Sequence, residues 1–444
     1  MPKKKTALTI EERLQQALVP AEEQPYEVPE NWVWVYGKNI FMPMESRKPD
    51  GEDFYYIDID AIDNKNQVVT EAKKIKTAQA PSRASRKLHT GDTVFSLVRP
   101  YLKNIAYIDV QLSDCIASTG FFVCTPNAAL NDKYLYRLMV SSYVVDGLNK
   151  HMKGDNSPSI RKDDIENYPF PLPPLSEQQR IVERIEELFA KLDEAKERLQ
   201  EVADSFAVRK AAILHKAFTG ELIGKKIEQL VPLESLVDLI KIGPFGSALH
   251  ESDYIENGIP LVNPKHIVQQ HIVPQSKISI SEEKAEELSS YRLKANNIVL
   301  GRRGEMGRCA PISNREENWI CGTGSMIIRL KKEYDAKLYS LILGSQATVT
   351  YLENSAVGST LKNLNEKIVR KIPVPQFSNE EQHEIVRLID DLLARERAAQ
   401  QAAEQALASI DLMKKSILAR AFRGELGTNK ASALELLRQV LAEN

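Results

Sequence analysis

The sequence predicts an α+β chain: two tandem mixed domains separated by two long helices that form an antiparallel coiled coil, the whole a pseudo-two-fold internal repeat. Three observations carry this prediction. A helical motif recurs at a fixed distance, each copy carries a long heptad stripe, and short β-like runs fill the stretches between.

The repeat comes first. Residues 210–222 read KAAILHKAFTGEL and residues 414–426 read KKSILARAFRGEL. The two glycines lie 204 residues apart (424 − 220), and the same spacing relates Ile181 to Ile385, Thr119-Gly120 to Thr323-Gly324, and Arg99 to Arg303. Pro171-Leu-Pro matches Pro373-Val-Pro at a spacing of 202, which predicts two extra residues ahead of the second helix. Spacing shared by so many points marks a tandem duplication.

The helices follow from periodicity. In the first copy Ile181, Ile185, Leu188, Leu192, Ala195, Leu199, Val202, Phe206 and Ile213 alternate in steps of four and three, interrupted at Arg209. In the second the stripe is Ile385, Ile389, Leu392, Ala399, Ala403, Ala406, Ile410, Met413 and Ile417, broken at Glu396. Ser176 to Gln179 and Ser378 to Glu381 read as capping boxes. Gly220 and Gly424 read as left-handed stops. Each helix spans about 42 residues, roughly 60 Å. A rod that long with one apolar stripe needs a partner, and its own copy supplies one. Pairing is expected through Ile181, Ile185, Leu188, Leu192, Leu199, Phe206, Ile385, Ile389, Leu392, Ile410 and Ile417. Two short capped helices are expected at the ends, one from Thr9 to about Val19 and one from Ser432 onward.

The mixed domains are read from β-like runs at 32–36, 55–59, 93–98 and 120–123, with one helix over 133–148, and again from 298–300, 326–328 and a helix over 338–352. The division is therefore 1–24 (capped helix), 25–170 (first domain), 171–226 (helical spacer), 227–372 (second domain), 373–426 (second spacer) and 427–444 (terminal helix).

Composition narrows the function. There are 59 basic and 61 acidic residues, a net charge of −2, so nucleic-acid binding requires the charge to be segregated. Cys115, Cys124, Cys309 and Cys321 form no C-x-x-C pair, which reads as buried thiols in a reducing compartment rather than a metal site. No apolar run approaches the roughly 20 residues that span a bilayer, and the N-terminus lacks a signal-peptide core. A cytoplasmic protein without membrane contact is expected.

The loops carry basic clusters at matching places. In the first copy these are Lys74, Lys76, Ser82, Arg83, Arg86 and Lys87, then Arg99, Lys103 and Asn104. In the second they are Lys241, Gly246 and Ser247, then Asn263, Lys265 and His266, then Arg302, Arg303 and Arg308. Lysines can hold phosphates and arginine forks can read guanine edges, so the two sets are candidate DNA contacts. Catalytic and metal-binding residues are expected to be none: there is no phosphate-cradling ATPase loop and no methyltransferase motif. One loose nuclease-like match, Asp50 with Glu71 and Lys73, keeps a magnesium-dependent nuclease open as an alternative. A coiled-coil scaffold without a DNA role is the other.

The stretch PLPPLSEQQRIV at 171–182, the heptad helix after it and its FTGEL ending at 218–222 resemble the central region of the specificity subunits of Type I restriction–modification enzymes. GDTVFS at 91–96, VRPYLKN at 98–104, STG at 118–120, and the 243–247 loop with Tyr254 and Gly258-Ile-Pro260 resemble their target-recognition domains. The resemblance runs from about 25 to 426. It implies that each domain reads one half of a split, asymmetric double-stranded DNA target and that the helices set the gap. It also implies two methyltransferase subunits and two restriction subunits as partners. S-adenosylmethionine, ATP and magnesium are then expected on those partners and no cofactor on this chain. Two departures stand out: Gly304 where Pro100 stands in the first copy, and a longer approach at 378–384.

Overall fold

The computed structural model describes residues 9–227, 229–355, 363–426 and 438. The chain divides into two compact units, one of residues 1–198 with 406–444 and one of residues 199–405, so both long helices are shared between them. The helix expected from Ser432 lies outside the described residues except for Arg438.

In the first unit, Thr9 accepts from the amide of Glu12 while the Glu12 carboxylate accepts from that of Thr9, starting the helix Ile10–Ala17. The strand Val33–Tyr36 pairs antiparallel with Pro169–Leu172. A four-stranded sheet runs Lys73–Lys76, Asp53–Ile57, Ile116–Ser118, Ala84–Lys87, and a three-stranded one runs Phe121–Cys124, Thr93–Ser96, Ile105–Tyr107. The run at 55–59 is a strand only to Ile57, because the Asp58 carboxylate caps a 3-10 turn. The helix expected over 133–148 is two, Asp132–Met139 and Ser142–Asn149. Ser141 ends one by donating to Leu138 O and caps the next.

The second unit repeats the plan. Its main sheet runs Val237–Ile242, Ser325–Leu330, Asn297–Gly301, Cys309–Pro311. The parallel pairing Tyr56 with Ile116 has its counterpart in Leu261 with Ile320. Ser345 divides Ala336–Leu343 from Gln346–Ser355, as Ser141 does in the first unit.

Strand register corrects two sequence correspondences. Pro169-Phe-Pro171, not Pro171-Leu-Pro173, is the counterpart of Pro373-Val-Pro375: Phe170 faces Val35 as Val374 faces Val231. The helices then begin at Leu175 and Asn379, 204 residues apart (379 − 175), with no extra residues in the second copy. Two buried glutamines mark the equivalence. Gln178 Nε2 donates to Ala129 O and Pro173 O while its Oε1 accepts from Asn131 N; Gln382 does the same with Glu333 O, Phe377 O and Asp335 N. The capping boxes therefore differ. Ser378 and Glu381 form one. In the first copy Pro174 holds the cap position, Ser176 lies inside the first turn, and the Gln179 amide donates to Glu183 instead.

The second correction concerns the loop after the central strand. Ser96 pairs with Phe121 as Gly301 pairs with Ser325, so the offset there is 205 and Arg99 corresponds to Gly304 rather than to Arg303. Both positions are left-handed, with φ of 47° and 82°. Arg99 tolerates this because its amide and guanidinium bond Pro158 O and Asn156 O.

Within each unit the long-helix segments pack antiparallel. In the first, Ile181, Val182 and Ile185 share a core with Leu418, Ala421 and Phe422, and Lys414 reaches Asp193 at 2.5 Å. In the second, Ile385, Ile389 and Leu393 pack with Ile213, Leu214 and Ala217. The first long helix is not continuous: Leu175–Asp204 and Phe206–Phe218 meet at Ser205, whose hydroxyl donates back to Glu201 O. Of the expected stripe residues, Ile181, Ile185, Ile385, Ile389 and Ile410 are buried. Leu188, Leu192, Leu199, Phe206, Leu392 and Ile417 are half-buried, and Val202 and Met413 face solvent. Gly220 and Gly424 are left-handed, with φ of 81° and 76°.

Candidate nucleic-acid interface

Local structure sorts the basic residues into those that are free and those that are engaged. Lys74 lies on the edge strand Lys73–Lys76 and pairs with Asp53 at 3.1 Å, which raises its pKa. Lys87 pairs with Glu45 at 2.5 Å, and Arg308 pairs with Glu305. Arg302 donates to Asn363 at 3.1 Å, and burial beside Arg303 lowers its pKa. Lys241 lies over the Tyr291 ring at 4.2 Å. Among the described residues, Lys76, Arg83, Lys265 and Arg303 are exposed and make no ion pair, and Lys103 is half-exposed and likewise unpaired. These five are among the cations free to meet phosphate, as is Arg86, half-exposed and also without an ion pair.

The four-stranded sheet brings part of the first cluster together. Lys74 and Lys76 stand on one edge strand, opposite Tyr55 and Asp53, while Arg86 and Lys87 stand on the other edge. Ser82 and Arg83 lead into that second edge, and Arg83 O accepts from Thr119 N. Arg99 and Lys103 occupy a separate loop after Thr93–Ser96, as Arg302, Arg303 and Arg308 do after Asn297–Gly301. Both loops are tied to the segment before the unit's last short helix, by the bridges Val98 to Ser159 and Arg303 to Asn363. Gly246 and Ser247 sit in a short 3-10 turn, and Gly246 is left-handed.

Two expected contacts are buried. His266 is 1% exposed, its Nδ1 lies 2.8 Å from Leu261 O, and burial lowers its pKa. Asn104 is also buried, in the strand-turn after Lys103. Neither side chain can reach a groove. Asn263 helps shape a turn instead, its Oδ1 accepting from Gly324 N at 3.4 Å. Sequence reasoning missed the aromatics. Tyr55 (53% exposed), Tyr101 (46%) and Phe245 (69%) stand out from the same basic segments. The interleaving of flat rings with cations was the available signal, because exposed aromatics there can contact bases or sugars.

The alternative nuclease residues are occupied otherwise: Asp50 pairs with Arg47 at 3.1 Å and Lys73 with Asp60 at 2.5 Å. Among the described residues no group of three or more His, Cys, Asp or Glu is placed to hold a metal. The four cysteines are free and buried, and burial pushes the Cys309 thiol up to about 12. No helix among the described residues is long and apolar enough to cross a membrane.

A duplicated α+β unit with cationic, aromatic-bearing loops on paired long helices is the build of a two-domain recognition protein. The Type I restriction modification DNA specificity domain matches the chain twice, over residues 38–204 and 234–406, and the chain belongs to that family. It is 29% identical to the EcoBI specificity subunit of Escherichia coli over 62% of this chain and 64% of that protein, less than two thirds of the relative's length. It is 23% identical to the EcoDI specificity subunit of Escherichia coli, over 71% of this chain and 77% of that one. The HsdS subunit from Thermoanaerobacter tengcongensis is similar in structure, with a TM-score of 0.69 and 26% identity over 91% of this chain and 99% of that one. A chain from a structure of the assembling type I R-M system gives a TM-score of 0.65 at 26% identity, over 90% of this chain and all of that one.

Proposed function

We propose that this chain is the DNA-reading specificity subunit of a Type I restriction–modification complex and carries no catalytic step of its own. The observation that supports it most is the double match of the specificity domain, once for each repeat. Each recognition domain reads one half of a split target. Because the two sets of loops differ, the halves differ and the target is asymmetric. The paired helices set the gap between the halves: the second is 43 residues, about 65 Å at 1.5 Å per residue, a length on the scale of two turns of DNA. The same helices dock two methyltransferase and two restriction subunits, and S-adenosylmethionine, ATP and magnesium belong to those partners. The complex works in the cytoplasm, where host DNA is.

Lys76, Arg83, Lys103, Lys265 and Arg303 position the phosphates, with base reading left to neighbouring side chains such as Tyr55, Tyr101 and Phe245. Co-expression with the methyltransferase subunit of its own locus, followed by sequencing that reports N6-methyladenine, tests the reading. A split motif with a fixed gap, lost when this chain is omitted, is the expected result. No new methylation despite a purified complex would refute it.

A further inference from the structure

The second unit has an open apolar groove of 550 Å³. One wall is the helix Phe206–Phe218, with Leu214 and Phe218 turned inward. Ala347 and Leu230 also line it, together with Lys210 and His215, and no carboxylate is among the lining residues. Leu230 is 55% exposed, an unusual state for a leucine beside other apolar side chains.

The repeat shows what such a groove holds. Its counterpart in the first unit is formed by Leu418, Phe422, Tyr143 and Trp34, which correspond to Leu214, Phe218, Ala347 and Leu230 through the helix motif, the Ser141 and Ser345 caps and the strand register. There the groove is filled by residues 9–30 of the chain itself. Tyr26 stacks edge-on against Trp34 and Tyr143, with centroids 4.8 and 5.3 Å away. Its hydroxyl donates to Phe422 O at 3.0 Å, and Arg423 lies 5.6 Å from its ring. Leu14 and Ala17 of the short helix are buried in the same core, and Trp34 is 1% exposed. Among the described residues the second unit has no such segment ahead of its strand Val231–Pro232, where only the 3-10 turn Glu221–Ile223 follows Gly220.

We propose that the open groove is the docking site of a segment of a partner protein built like residues 9–30: a short amphipathic helix, a turn, and a tyrosine, acidic overall. Residues 9–30 carry Glu11, Glu12, Glu22, Glu23, Glu27 and Glu30 against one base, Arg13, which complements Lys210. The segment of a second copy is the less favourable occupant, since its Leu14 and Ala17 are already buried in their own unit and would have to be withdrawn. The inference does not depend on the DNA-reading role.

The test uses the full-length chain and a fluorescein-labelled peptide of residues 9–30 as probe, read by fluorescence anisotropy. Saturable binding is expected, weakened at least about tenfold by Leu230→Asp, by Lys210→Glu, or by replacing the peptide's tyrosine with alanine, and absent for a scrambled peptide. Leu230 and Lys210 are not core residues, so these variants fold. Tyr143→Ala, in the first unit, should leave the affinity unchanged. No binding, or equal binding to Leu230→Asp and Lys210→Glu, would overturn the proposal. Concentration-dependent dimerisation abolished by Leu230→Asp in sedimentation would overturn the partner assignment in favour of a second copy.

Discussion

The two interruptions of the heptad stripes, Arg209 and Glu396, meet each other: Arg209 Nε donates to a Glu396 carboxylate oxygen at 2.6 Å. Arg209 also donates to Ser205 and, at 3.0 Å, to Val202 O. The side chains are only 32% and 25% exposed, so this pair sits between a surface bridge and a buried one. The repeat-equivalent positions in the first unit are Met413 and Leu192, which line a small apolar groove of 330 Å³. Glu396→Leu should leave the guanidinium partly desolvated without its carboxylate. A fully buried orphan costs about 3–5 kcal/mol, and partial exposure reduces this to about 1–3 kcal/mol. A domain of this size loses about 2–4 °C per kcal/mol, so the second unit should melt roughly 2–12 °C earlier. Arg209→Met with Glu396→Leu copies the apolar pair of the first unit and should return to within about 1 kcal/mol of the native chain. Thermal unfolding of the four proteins of this double-mutant cycle, followed by circular dichroism, gives the answer. If the double variant is as unstable as the sum of the singles, the pair is not coupled and the argument fails.

Other outcomes follow from the same geometry. Gln178→Ala and Gln382→Ala each strand two buried carbonyls and an amide at a helix start, so each should cost about 1–3 kcal/mol in urea unfolding, by similar amounts. His266 has a lowered pKa in the fold, so the unfolded chain binds its proton more readily. The stability that neutral His266 contributes is present above about pH 6.5 and is lost as pH falls from there toward the folded pKa, and His266→Gln should flatten that part of a melting-temperature profile. Reversing Arg83 and Lys76, or Arg303 and Lys265, to glutamate should weaken DNA binding and lower the slope of log affinity against log salt by roughly 0.9 for each phosphate no longer neutralised, whereas Lys87→Glu, already neutralised by Glu45, should change it less. Gly243→Ala would put a Cβ 2.1 Å from Gly322 O, backbone that cannot swing aside, and should lower the yield of soluble protein.

The duplication, the helix stops and the α+β class were legible in the sequence because each is written along one dimension: a spacing, a period of 3.5, a glycine where the chain must turn left-handed. Family membership was legible for the same reason, since the helix motifs recur with their spacing intact. Correspondence at the prolines was not, because Pro-x-Pro occurs twice in succession at 169–173 and only the pairing of Phe170 with Val35 selects the right copy. The equivalence of Arg99 with Gly304 was hidden by a single inserted residue that only strand register detects. Exposure was equally invisible: His266 and Asn104 look like polar loop residues in sequence and are buried, while Tyr55 and Phe245 look like core and are not. Two isolated defects, Arg209 and Glu396, became one interaction only once the helices packed. Sequence determines what is local and periodic. Which side chains meet, and which remain free for a ligand, depends on contacts between residues far apart in the chain, and those exist only in the folded structure.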